Sequence, residues 1–257
     1  MRWFSKNYRG KLRHELKVVP IFHGGPKDLR PKDFDFTLAS SNSDFGKSAY
    51  FSFHHGLAND WSKEHGGHVN SYIFHVDEAR NDPGLQLMEL NNPIDWLDTI
   101  LEIYENGGVN PYDIIIGDIM DGNTGKVIFK YQKLAKQRGI SMLDFSDDTK
   151  MEMIRELDPK KIGQQVAFRD GESLRFVEFI DSVEASDRMV VFEPDPGDIA
   201  GDVSLMLAEE LGISYNDALT QFMCSDTFRR IRLDESLCKL GLDAIKKMYL
   251  QEVNIHG

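Results

Sequence analysis

Cysteine is scarce in this chain. Only Cys224 and Cys238 carry thiols among 257 residues. Two thiols make no disulfide framework, so a reducing compartment, the cytoplasm, is expected. Basic residues are outnumbered: 30 Lys and Arg face 42 Asp and Glu, for a net charge of −12. A non-specific nucleic-acid binder needs the opposite surplus to neutralise phosphates, so that class is disfavoured. No apolar run approaches a membrane span. The N-terminal stretch MRWFSKNYRGKLRHELKVVP is basic without an apolar centre, and reads as a solvated tail rather than a secretory signal. The chain also lacks a Walker lysine loop, a GxGxxG fingerprint, a nucleophile elbow and an HExxH helix. The histidines at 54 and 55, and those of HGGH at 65–68, have no Cys pair to join them, and Gly-Gly is a poor rigid chelate; no metal is expected.

What is present is the patterning of a globular protein. Residues 18–192 read as one domain of mixed strands and helices. VVPIFHGG is a strand ending in a glycine turn, SAYFSF a strand after a Gly-Lys step, VNSYIFHVD a half-buried strand and YDIIIGDIMDG a buried one. NPIDWLDTILEIYENGG places Ile94, Leu97, Ile100, Leu101 and Tyr104 on one helical face between a Pro start and a Gly-Gly stop. HHGLANDWSKEHGG, KVIFKYQKLAKQRG and DFSDDTKMEMIRELDP read as further helices, and QQVAFRDGESLRFVEFI as a strand, a glycine turn and a helix or second strand. Near residues 193–202 two prolines, two glycines and several aspartates predict a linker. Residues 201–257 then read as a small all-helical module, with Ser214 and Asp217 forming part of a capping box. The irregular alternation argues against a doubly wound sheet and for an α+β fold with a mainly antiparallel sheet.

Two short stretches bear on chemistry. FHGG at 22–25 places a histidine and a glycine at a strand end. Imidazole can bond a sugar hydroxyl, and a glycine leaves backbone open to a planar amide. DFGKSAYFS at 44–52 joins a mobile turn, Gly46 and Lys47, to a strand carrying Tyr50, a candidate stacking ring; turn and strand together are expected to form one wall of a nucleotide pocket, with Gly46 and Lys47 at the nucleotide. Either alone is ordinary: a packed histidine, a core tyrosine.

Taken together, the HG step, the GKSAYFS strand and the LANDW helix resemble the NAD-binding half of the ADP-ribosyltransferase superfamily, in its diphtheria-toxin and poly(ADP-ribose) polymerase branch with a His-Tyr-Glu triad. The longer series HGG, DFGKSAYFS, ANDW, VNSYIF, DWLD, YDIIIGDIMDG and QVAFRDGESLRFVEFI resembles a bacterial family of uncharacterised domains thought to share that fold, across about residues 20–180. The resemblance implies a split antiparallel sheet and NAD as substrate. It assigns His23 to the adenosine ribose, Gly24 to the nicotinamide carboxamide, Tyr50 to stacking on the nicotinamide and Trp61 to the ring's other face. The sequence departs from the branch at Ser48, where a glycine is usual, and at Ala58, where a serine often binds the carboxamide.

The third motif departs further. The resemblance places the catalytic Glu at Gln165, with Gln164 as the shifted alternative. A carboxylate stabilises the cationic sugar left by nicotinamide, whereas an amide bonds only its hydroxyl; losing such a contact costs about 2.7–4 kcal/mol. Glu172, just past the strand, is the nearest candidate carboxylate, or else a water-facing residue at a helix start. The expected activity is therefore NAD-dependent ADP-ribosylation of a protein or nucleic-acid acceptor, of toxin, effector or defence type. The C-terminal helices are expected to regulate it or to dock a neutralising partner. The alternative is a catalytically silent NAD-binding or protein-interaction module.

Overall fold

The structure, a computed structural model, describes residues 16–120, 124–157, 163–185 and 194–256. The basic tail at 1–15 and the domain end expected at 192 lie outside them. In chain order the elements are β1 (Val19–Gly25), β2 (Ala49–Ser52), α1 (His55–His65), β3 (His68–Phe74), α2 (Val76–Asn81), β4 (Leu87–Glu89), α3 (Pro93–Glu105), β5 (Ile114–Asp118), α4 (Thr124–Arg138), α5 (Asp147–Leu157), β6 (Gln164–Phe168) and β7 (Val177–Glu184). Five helices follow: α6 (Pro196–Leu211), α7 (Tyr215–Met223), α8 (Asp226–Leu233), α9 (Glu235–Cys238) and α10 (Leu242–His256). No helix among the described residues is long and apolar enough to cross a membrane.

The fold is α+β. Its sheet runs β4-β5-β6-β2-β1-β3-β7. The β4–β5 pair is parallel and the other described pairs are antiparallel. Local signals set the helix ends. Asn92 caps α3 by accepting from the Ile94 N–H at 2.8 Å, Pro93 opens its first turn, and Gly107 and Gly108 leave it with positive φ. Ser214 caps α7 by accepting from the Asp217 N–H at 3.1 Å. The stretch GESLRFVEFI resolves as a short 3-10 turn and the strand β7. VNSYIF is buried on both faces rather than half-buried, because β1 and β7 flank it and apolar layers cover both sides.

Strand alternation sorts the core into three clusters. Phe51, Tyr72, Phe74, Val166 and Phe168 point to one face, where Phe34 and Phe36 of the loop after β1 cover them. The other face carries two cores side by side. Helices α3–α5 pack on Tyr50, Ile115 and Ala167. Helices α6–α10, with Ala58 of α1, pack on Phe22, Val69 and Ile73. Between the two cores the row Phe22–Ser52–Gln165–Gly117 crosses β1, β2, β6 and β5. Ser52 and Gln165, both buried, are the polar members of that row.

The expected linker near 193–202 is helix from Pro196 onward. Proline fits a first helical turn, and Asp195 supplies the cap, so the residues that look like punctuation start a helix. Asp195 caps more than its own helix. Its Oδ1 accepts from the N–H of Gly197 at 2.8 Å and of His55 at 3.1 Å, and its Oδ2 from the N–H of Gly56 at 3.1 Å. One buried carboxylate thus closes the N-termini of α6 and α1. Burial pushes its pKa up, against the pull of His54 and of these donors.

The C-terminal helices are pinned to the sheet elsewhere too. The Arg232 guanidinium, fully buried, bonds Ser71 Oγ on β3 at 2.6 Å and pairs with Asp181 on β7. His55, beside it, is buried against Phe22; burial and then the Arg232 charge lower its pKa to about 3, which leaves it a neutral core histidine. Asp195→Ala leaves three buried N–H groups without an acceptor at two helix starts. It is expected to lower the unfolding free energy by about 2–4 kcal/mol, two caps' worth, with Asp195→Asn losing less. Urea unfolding measures this; a loss within about 0.5 kcal/mol, the range of neutral surface changes, would contradict the shared cap.

Candidate functional site

Strand β1 pairs with β3 along its whole length but with β2 at one register position, Phe22 opposite Ser52. Past Phe22 the two strands part. Across the opening, His23 Nδ1 donates to the Tyr50 carbonyl at 2.7 Å. A carbonyl only accepts, so Nδ1 carries a proton. The ring centroid lies 5.0 Å from that of Phe34 and 5.3 Å from that of Phe51, which fixes its plane.

The opening is a narrow cleft whose enclosed space is about 10 Å³, room for one water. His23, Gly24, Tyr50, Trp61 and Gln165 all line it. Strand alternation decides between the two glutamines: Gln165 shares the cleft face with Ser52, and Gln164 points the other way. Trp61 is 44% exposed, so it stands at the mouth on α1. Ala58 lines the wall, and it brings no side-chain donor.

Tyr50 is held by its hydroxyl. The phenol oxygen accepts from the Phe45 N–H at 2.9 Å and donates to the Gly46 carbonyl at 2.7 Å. Burial first, then the Asp44 charge, raise its pKa well above the phenol range, so it stays protonated. The DFGK turn is in turn pinned by Gly46, which adopts φ +69° and lies so close to Gly108 that a Cβ would sit 2.4 Å from the Gly108 carbonyl oxygen. Phe45 and Gly46 therefore build the clamp on the Tyr50 hydroxyl, and Gly46 and Lys47, expected at the nucleotide, do not line the cleft. The Lys47 side chain is exposed, and its backbone N–H donates to Gly108 at 3.0 Å.

Gly24 has a different reason to be glycine than ligand access. A Cβ there would lie 2.4 Å from the Ala58 carbonyl oxygen and 2.5 Å from the Ser62 nitrogen. The missing side chain lets α1 sit directly on β1, and that contact sets the width of the cleft.

Glu172 does not reach the site. It lies beyond the far end of β6, its side chain 90% exposed and within 3.7 Å of Arg175. Proximity in sequence to Gln165 misleads, because a strand carries the chain away from the cleft at about 3.3 Å per residue. The carboxylate at the site is Asp44, from the first position of DFGKS. Its Oδ2 accepts from Gln165 Nε2 at 2.8 Å and from the Met120 N–H at 3.0 Å. Burial pushes the Asp44 carboxyl above its ordinary value, while the two donors pull the other way. Asp44 and Gln165 stand 121 residues apart in sequence. The one signal for such a contact was a pair of polar residues opening an otherwise apolar strand.

A family profile described as protein of unknown function (DUF3990) matches residues 19–179. The chain belongs to that family. The match begins at β1 and ends within β7, so it contains every cleft residue named above and none of the C-terminal helices. No curated protein and no solved structure gives a significant match.

Gly24→Ala is expected to force α1 off β1 and to destabilise by about 1–3 kcal/mol, the usual cost of overpacking. Gly171→Ala, where an added Cβ meets nothing within 4 Å, is the neutral control. Denaturant unfolding of both variants checks this, and equal stabilities would show that the β1–α1 contact yields freely.

Proposed function

We propose that this domain binds NAD with the nicotinamide end in the cleft between β1, β2 and α1, and transfers ADP-ribose to a macromolecular acceptor. The observation that carries the reading is convergence. His23, Tyr50, Trp61 and Gln165, from four separate elements, meet around one opening. The parting of β1 from β2 within a mainly antiparallel sheet supports the finer reading of the fold as the split sheet of the ADP-ribosyltransferases.

The residues suit the parts of such a substrate. Ligand sites for drug-sized molecules enclose about 300–1,000 Å³; this cleft encloses about 10 Å³ as it stands, so a planar ring enters as the exposed Trp61 at the mouth swings aside, with the dinucleotide trailing over the rim. The Tyr50 ring, its hydroxyl already tied, offers a fixed stacking face, and Trp61 can close over the opposite one. His23, its Nδ1 committed to the Tyr50 carbonyl, stands at the cleft to meet a ribose hydroxyl. In the reaction the bond from the nicotinamide nitrogen to the ribose C1′ breaks, and its electron pair leaves with nicotinamide. A lone pair on the acceptor then bonds C1′, and the acceptor's proton passes to solvent. The acceptor class, protein or nucleic acid, is set by surfaces outside the cleft. The outward faces of α6–α10 are the surface for a neutralising or docking partner.

The neutral side chain of Gln165 supports a second reading, a silent module that holds NAD without turning it over. An amide stabilises a cationic sugar less than a carboxylate, by about 100- to 1000-fold in rate. Both readings are tested on the full chain by melting with and without NAD, and by incubation with labelled NAD and a cell lysate. Stabilisation plus label transfer, both lost in Tyr50→Ala and in the fold-sparing Trp61→Ala, is the expected result. Stabilisation without transfer selects the silent module. No stabilisation of the native chain by NAD removes both.

A further inference from the structure

We infer that Asp44 is a positioning residue for the nucleotide site, which locks the Gln165 amide with its oxygen toward the cleft and supplies the negative charge that Gln165 lacks. The inference rests on the NAD reading above and adds a residue that no motif assigned.

The argument starts from hydrogen-bond polarity. An ionised carboxylate has no proton to donate, so the group bonded to Asp44 Oδ2 at 2.8 Å is the Gln165 NH2, and its Oε1 is the end left for the cleft that Gln165 lines. A free amide turns either way at little cost. Here the second donor on Oδ2, the Met120 N–H, holds the carboxylate in place at the end of β5 and so keeps the amide from turning. The pair behaves as one extended anion: a carboxylate behind, a polarised amide in front, oxygen outward. A cationic sugar meeting that oxygen meets the negative end of the amide dipole, with a full charge one hydrogen bond further back. The charge is not spent elsewhere, since no described Lys or Arg forms an ion pair with Asp44.

The arrangement also explains why a glutamine, rather than a glutamate, fits this position. A carboxylate at 165 would lie at hydrogen-bond distance from Asp44 in a buried site, and two like charges there cannot both stay ionised. The requirement is for one charge shared between the two positions, and it can be swapped.

Four chains are compared: native, Asp44→Asn, Gln165→Glu and the double variant, each by melting, by calorimetric NAD binding and by nicotinamide release from NAD. Asp44→Asn keeps the size and an acceptor oxygen but removes the charge. It is expected to keep the native melting temperature, and to lower NAD affinity or nicotinamide release about tenfold, the difference between a hydrogen bond to a charged group and one to a neutral group. Gln165→Glu is expected to melt lower. The double variant, with the charge moved to 165 and an amide at 44, is expected to recover both melting temperature and NAD handling. The inference is overturned if Asp44→Asn handles NAD like the native chain, or if the double variant shows only the product of the single effects within about twofold. A native chain that shows no NAD binding brings down the NAD reading instead. In that event the lock is judged by NMR alone: slow exchange of the Gln165 side-chain amide protons, lost in Asp44→Ala, sustains it, and fast exchange in the native chain ends it.

Discussion

One imidazole holds two strands apart and together at once. His23 spans the opening between β1 and β2 and satisfies the Tyr50 carbonyl, a group that a continued ladder would have paired with backbone. Without that bond the carbonyl would need water or a closed ladder, because a buried acceptor left unpaired is costly. With it, the sheet stays one sheet while a cleft persists in its middle. Everything at the site is arranged around this opening: the Tyr50 ring on one side, α1 on the other, and Gln165 at its floor.

The cleft also lies where two cores meet. Helices α3–α5 cover one half of the sheet face and α6–α10 the other, and the polar residues Ser52 and Gln165 mark the seam. The C-terminal helices are therefore more than an appendage. Asp195 caps both α6 and α1, and Arg232 reaches Ser71 from α8. Since α1 forms a cleft wall, anything that shifts α6 bears on the width of the site through a single buried carboxylate. The family match ends before these helices, yet the core they share with β1 and β3 does not divide there.

Much of this was legible from the chain. Alternation and 3.6-residue periodicity located most strands and the larger helices, and the motifs around His23, Tyr50 and Gln165 picked out residues that converge. Short elements escaped. Strand β4 and helix α2 are too brief to show a period. The acidic, Pro- and Gly-rich stretch at 193–202 read as a linker because the residues that begin a helix are also those that break one. Glu172 looked near because it is near in sequence.

The order of residues alone determined which segments have a buried face, where helices can start, and that a His-Gly step and a Gly-Lys-x-x-Tyr strand exist to be brought together. These are local matters, settled by sterics and hydrophobic spacing over a few residues. Tertiary structure decided the rest. It set which carboxylate faces Gln165, why position 24 tolerates no side chain, and that the last helices wall the same sheet. Those facts depend on distances between residues far apart in the chain, and hydrogen bonds and van der Waals contact act only at such distances once folding has closed them.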